Sequence, residues 1–173
     1  MNMLRSTTAV LVPALLLTMS CSSGDKSKDQ SAVTTLHFYE HDTGQTSVDL
    51  GTPGEGPGDQ FIFSGDVVDR QGGTKLGRTA GQCTTLSGNA TSGDVSCTET
   101  FILDGGQISV QTLADRAAVF SKGETVPISI VGGSGKYSKA RGAGTVQVPP
   151  EVPNQTDANF VLMTCPEDGP LAA

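Results

Sequence analysis

No tryptophan occurs in the 173 residues, and aromatic side chains make up only 5% of them. A core must therefore be built from Val, Ile and Leu, with six phenylalanines as its largest pieces. Charged residues are scarce at 17%, and no stretch concentrates Lys and Arg. A nucleic-acid binder needs a basic footprint against the phosphates, so that class is excluded; the formal net charge of −7 agrees. Amphipathic helical patterns are missing too, and only 114–123 (ADRAAVFSKG) offers a helical turn. The sole long apolar run, Ala9 to Met19, would reach roughly 16 Å as a helix, well short of a bilayer core of about 30 Å.

What is abundant is glycine, at 22 residues, with 9 prolines. That balance suits many short strands joined by tight turns. Eight segments read as strands: 33–40, 60–69, 73–84, 95–103, 107–113, 126–131, 136–148 and 158–164. Each is short, rich in β-branched residues and bounded by turn formers such as Gly51-Thr52-Pro53-Gly54 and Asp104-Gly105-Gly106. The expected fold class is all-β and antiparallel, a barrel or a sandwich, and the length suits one domain.

The first 20 residues read as a signal peptide, with Arg5 as the basic start and the apolar run behind it. Cys21 closes that run and is followed by a polar tract from Ser22 to Ser31. This arrangement resembles a bacterial lipoprotein signal, which implies lipidation of Cys21 and a flexible tether over 21–32. Ordinary cleavage nearby would leave the protein secreted. Either outcome puts the chain outside the cytoplasm, touching a membrane through the lipid anchor alone. In that oxidising setting Cys83 and Cys97, flanking a polar connection between two strands, are expected to pair, leaving Cys165 near the C-terminus. The barrel or sandwich domain would span 33–165, with 166–173 as a tail.

Two stretches carry a family resemblance. Val131-Gly132-Gly133-Ser134-Gly135-Lys136-Tyr137, followed after two residues by Ala140-Arg141-Gly142, is one; Leu36-His37-Phe38-Tyr39-Glu40-His41-Asp42 is the other. Together with Cys97-Thr98-Glu99-Thr100-Phe101 they resemble the dirigent and allene-oxide-cyclase-like proteins, in particular a bacterial branch. The resemblance implies an eight-stranded antiparallel barrel, calycin-like in form, that confines one small hydrophobic molecule and steers its cyclisation or coupling, an isomerase-like or dirigent-type activity. It also implies a homo-oligomer, a trimer in many members. The plant pattern is not complete: Gln82-Cys83 stand where an aromatic hydroxyl is expected and Val126 where an arginine is expected.

Candidate chemistry starts on the first strand. Leu36, Phe38, Glu40 and Asp42 share one face by the two-residue period, so two carboxyls would lie at one end of an apolar stripe. Crowding and burial raise a carboxyl's pKa and turn it into a general acid, which makes Asp42 and Glu40 the catalytic candidates. Asp42 also matches an acid that the family places at its site. Phe38, Tyr137 and Arg141 are the ligand-binding candidates, Arg141 as an anion or orientation partner. The glycine-rich motif fits no cofactor: Ser138 stands where a dinucleotide motif needs its third glycine, and Tyr137 follows Gly135-Lys136 where a P-loop needs Ser or Thr. On a strand His37 and His41 would stand about 13 Å apart, too far to share a metal. The opposing reading is a non-catalytic envelope lipoprotein that binds a ligand or a protein. A dry interior packed with Phe and Val would favour it, and an open cavity with Asp42 on its wall would favour catalysis.

Overall fold

The computed structural model describes residues 32–152 and 154–164. Cys21, the leader, the tether before Ala32, Cys165 and the tail lie outside the described residues. Eight antiparallel strands form a closed barrel in simple up-and-down order. They are β1 (Ala32–Val48), β2 (Gln60–Val68), β3 (Lys75–Thr85), β4 (Asp94–Leu103), β5 (Gly106–Asp115), β6 (Val126–Gly135), β7 (Arg141–Gln147) and β8 (Gln155–Thr164). Every strand pairs with its neighbour in sequence, and β1 closes on β8 with Leu36 opposite Phe160 and Phe38 opposite Ala158. Closure removes both sheet edges, so none of the described strands presents an unpaired edge. One short helix, α1 (Arg116–Phe120), joins β5 to β6, and the Asp115 carboxylate caps it by accepting from the Ala118 N–H at 3.0 Å.

Period-two alternation sorts the side chains into lumen and solvent. On β4, Val95 and Phe101 are fully buried, and on β6 Val126, Ile128 and Ile130 point inward in turn. The packed core occupies one half of the barrel. There Phe38, Phe101 and Phe160 meet with all three ring centroids 5.1 Å apart, two of the contacts edge-to-face. Ile108, Ile130, Leu162 and Val67 fill the space around them. Each such buried side chain contributes on the order of 1.5–3 kcal/mol of hydrophobic stabilisation.

Three strands depart most from the sequence reading. β1 runs to Val48, beyond the expected 33–40, because a bulge at Thr43 lets it keep pairing: Asp42 faces Gly65 while Gly44 faces Ser64. The extra residue resets the alternation, so Gln45 opposite Phe63 joins the inward face that Asp42 had left. β6 passes through Gly132-Gly133-Ser134-Gly135, the turn falls at 136–140, and β7 starts only at Arg141. Gly133 must be glycine here, since a Cβ would sit 2.3 Å from the Tyr137 carbonyl oxygen.

Candidate functional site

Above the three phenylalanines the barrel is hollow. A cavity of about 370 Å³ fills its other half and reaches the end where β1 passes Gln45 and where α1 lies across the mouth. Phe61 and Phe63, stacked at 5.9 Å, form one wall, and Val110, Val126, Ile128 and Val146 form the other. Phe120 of α1 meets Phe61 edge-on at 5.4 Å and closes part of the rim. Gly81 supplies room between the aromatic wall and β4, for a Cβ there would lie 2.6 Å from both Phe63 Cζ and the Thr98 carbonyl.

Both first-strand acids line this cavity. Glu40 stands one inward step above Phe38 and is only 2% exposed; Asp42 stands one step nearer the mouth and is half-buried. The deeper partner of Glu40 is Glu99 of β4, one inward step above Phe101. The two carboxyls act on each other electrostatically across the lumen. Burial, then the facing Glu99, push Glu40 well above its ordinary value, and burial raises Glu99 as well. Thr79 Oγ1 donates to Glu99 Oε1 at 2.5 Å, which favours the ionised form of Glu99 and works against the upward push of its burial. Glu40 Oε1 has no hydrogen-bond partner although it is buried. Asp42 is raised by its own burial, against the opposing pull of Gln45, whose Nε2 donates to Asp42 Oδ2 at 2.5 Å.

The other candidates sit elsewhere. Phe38 belongs to the packed floor and does not line the cavity. Tyr137 is buried in the turn at the opposite end, with the Lys136 ammonium 5.0 Å from its ring centroid. Arg141, exposed at the start of β7, donates to the Ala140 carbonyl at 2.6 Å and points to no cavity residue. None of the three lines this cavity, and the glycine-rich motif builds the closed end of the barrel. His37 pairs with Asp157 across β1 and β8 at 3.0 Å on the outer surface.

Cys83 and Cys97 face each other directly in the β3–β4 register and form the expected disulfide, with Cα atoms 4.0 Å apart. Both line the cavity, which the sequence did not suggest. Glu99 escaped the sequence reading as well. Its signal was present, because Val95, Cys97, Glu99 and Phe101 share one parity and three of them are apolar or bridged.

With this geometry established, comparison with known proteins is informative. Residues 35–162 match the family described as "Allene oxide cyclase barrel like domain". No curated protein sequence matches the chain. Among solved structures, one described as pyocyanin demethylase is 25% identical, with a TM-score of 0.61, covering 74% of this chain and 99% of that one. A nonspecific heme-binding cyclase that catalyses a cycloaddition in neoabyssomicin biosynthesis is 21% identical, with a TM-score of 0.63 over 83% of this chain and 72% of its own. A pterocarpan synthase dirigent protein is 19% identical, with a TM-score of 0.59 over 80% of this chain and 99% of its own. At such identities the last two likenesses speak to the fold.

Proposed function

This chain belongs to the allene oxide cyclase barrel like family, and we propose that its barrel holds one small, largely apolar molecule and steers its cyclisation by proton exchange with Glu40 and Glu99, or its coupling by confinement alone. The observation that carries this reading is Glu40 itself, a buried carboxyl on a cavity wall whose pKa burial pushes well up and one of whose oxygens is unpartnered among the described residues. Burying such a group costs stability, and perturbed carboxyls of this kind concentrate at working sites. A volume of about 370 Å³ lies in the range of small-molecule sites.

Cyclisation of one molecule conserves its atoms, so a proton lent to start it must be taken back. Two buried carboxyls with raised pKa values suit that cycle: Glu40 gives, and the Glu40–Glu99 pair recovers it. Thr79 keeps Glu99 in place through both halves. Asp42 is a second acid one step nearer the mouth. The walls of Phe61, Phe63 and the valines confine a flexible ligand to few conformers and exclude water, which brings reacting atoms together without a dedicated nucleophile. The cyclase and synthase named among the similar structures support the reading by their stated activities.

We also place the chain outside the cytoplasm, lipid-anchored through Cys21 or secreted; the disulfide supports this, since such bonds persist in oxidising compartments. Native mass spectrometry of the protein purified from its own producer tests the functional reading. The expected result is a noncovalently held small molecule that wild type converts and Glu40→Gln holds unchanged. A molecule released unaltered by wild type would make the barrel a carrier, and an empty protein that takes up no extract component would defeat the reading altogether.

A further inference from the structure

Resting on the reading that this cavity holds the ligand, we infer that the ligand is a flat, conjugated molecule bearing a positive charge or a basic nitrogen, and that carboxylate and phosphate ligands are rejected. The lining contains three carboxyls, Glu40, Asp42 and Glu99, and no Lys, Arg or His. Nearby cations are turned elsewhere. His41 lies on the outer face of β1, opposite to its neighbours Glu40 and Asp42. Arg116, at the mouth, is spent on the Ala90 carbonyl at 2.9 Å, Thr85 Oγ1 at 3.1 Å and Glu55 Oε2 at 2.8 Å, in a separate crevice. Arg141 and Lys136 belong to the closed end.

Three carboxyls therefore crowd one lumen with no Lys, Arg or His side chain among its lining residues, and the one cation that acts on them, His41 pulling Asp42 downward, does so from the outer face of β1. A second observation gives the acidic lining a direction. Glu40 Oε1 is a buried acceptor with no donor among the described residues. An N–H⁺ group entering the cavity satisfies it and pairs with the carboxyls in one step, whereas a carboxylate supplies neither donor nor positive charge. The aromatic wall favours the same class. Phe61 and Phe63 lie with their planes 25° apart and accept a flat ring by stacking or a cation on a π face; Phe120, edge-on to Phe61, already carries the Arg116 guanidinium 5.3 Å from its ring centroid.

Three tricyclic probes of matched shape test this on the purified protein at neutral pH and low salt: 9-aminoacridinium, anthracene-9-methanol and anthracene-9-carboxylate. Titration by fluorescence should rank the cation at least about tenfold tighter than the alcohol, and the carboxylate at least about tenfold weaker. Glu99→Gln, which removes a carboxyl and keeps the Thr79 bond, should shrink the cation's advantage to about threefold or less while the alcohol binds as before. Equal binding of all three, or a carboxylate that binds best, overturns the inference and leaves the ligand-holding cavity standing. A cation preference that survives Glu99→Gln together with Asp42→Asn overturns it too. Failure of every probe to bind sinks the cavity reading and this inference with it.

Discussion

Raising the pH from about 5 to about 8 should destabilise the protein, and replacing Glu40 and Glu99 together by glutamine should remove most of that effect. In the unfolded chain a glutamate titrates near 4.5, whereas both carboxyls of the folded pair are raised. Above 4.5 the folded state therefore keeps a proton that the unfolded state has released. A raised group contributes stability that is complete below its unfolded pKa and is lost as the pH climbs through its folded one. For one retained proton the slope is at most about 1.4 kcal/mol per pH unit. Each unit of climb between the unfolded and the folded pKa therefore removes a noticeable share of the roughly 5–15 kcal/mol that holds a typical domain together.

Neighbouring acids separate cleanly from this window. Asp42, raised by burial, adds a smaller loss of the same sign from its ordinary 3.8 upward. Asp59 runs the other way: the N–H groups of Leu50 and Gly56 hold its carboxylate low, so its contribution is present above 3.8 and lost only as the pH falls below it. Urea denaturation at a series of pH values, with the slope against denaturant checked for constancy, reads the difference directly. Wild type should fall steadily across the window, while the double glutamine variant stays nearly level and overtakes it at the alkaline end. Parallel curves for the two proteins, or a wild type that gains stability with pH, would refute the retained buried proton.

Removing the disulfide by Cys83→Ser with Cys97→Ser should cost about 3 kcal/mol, since it reopens a connection with a sequence separation of 14; an unchanged thermal midpoint in both oxidised and reduced buffer would contradict this. Gly81→Val should cost about 1–3 kcal/mol by driving a side chain into Phe63 and the Thr98 carbonyl. The same substitution should weaken anthracene-9-methanol binding, and a variant that keeps both its urea midpoint and its affinity would show that Gly81 does not shape the cavity.

The barrel was legible in the sequence because alternation, β-branched content and Gly or Pro boundaries all agree over most strands. Where they fell silent, boundaries slipped. Thr43-Gly44-Gln45-Thr46-Ser47 has no apolar member to mark a face, and the bulge at Thr43 breaks the phase that would have carried the pattern to Gln45. Gly132-Gly133-Ser134-Gly135 reads as a turn because glycine has no side chain to assign inward or outward, yet the backbone there goes on pairing with β5. For the site, period two correctly put Glu40 and Asp42 on one face. Glu99 comes from a strand separated from β1 by β2 and β3, and the pairing of two acids across a lumen depends on register through both, which no single segment reports.

Site and fold are also coupled along each strand. Phe38 is followed inward by Glu40 and Asp42, Phe101 is preceded by Glu99 and Cys97, and Phe160 by Ala158 and Thr156. These three strands therefore spend their large apolar residue at the floor and their polar or small ones toward the mouth. The three rings do more than stabilise the barrel: they seal the space directly beneath both glutamates, and this burial is the largest cause of their raised pKa values. An acid at the same level of an unplugged barrel would be solvated and ionised. The plug that holds the fold shut is thus what keeps a proton available at its center, and the closed end built by the glycine-rich motif serves the chemistry without touching it.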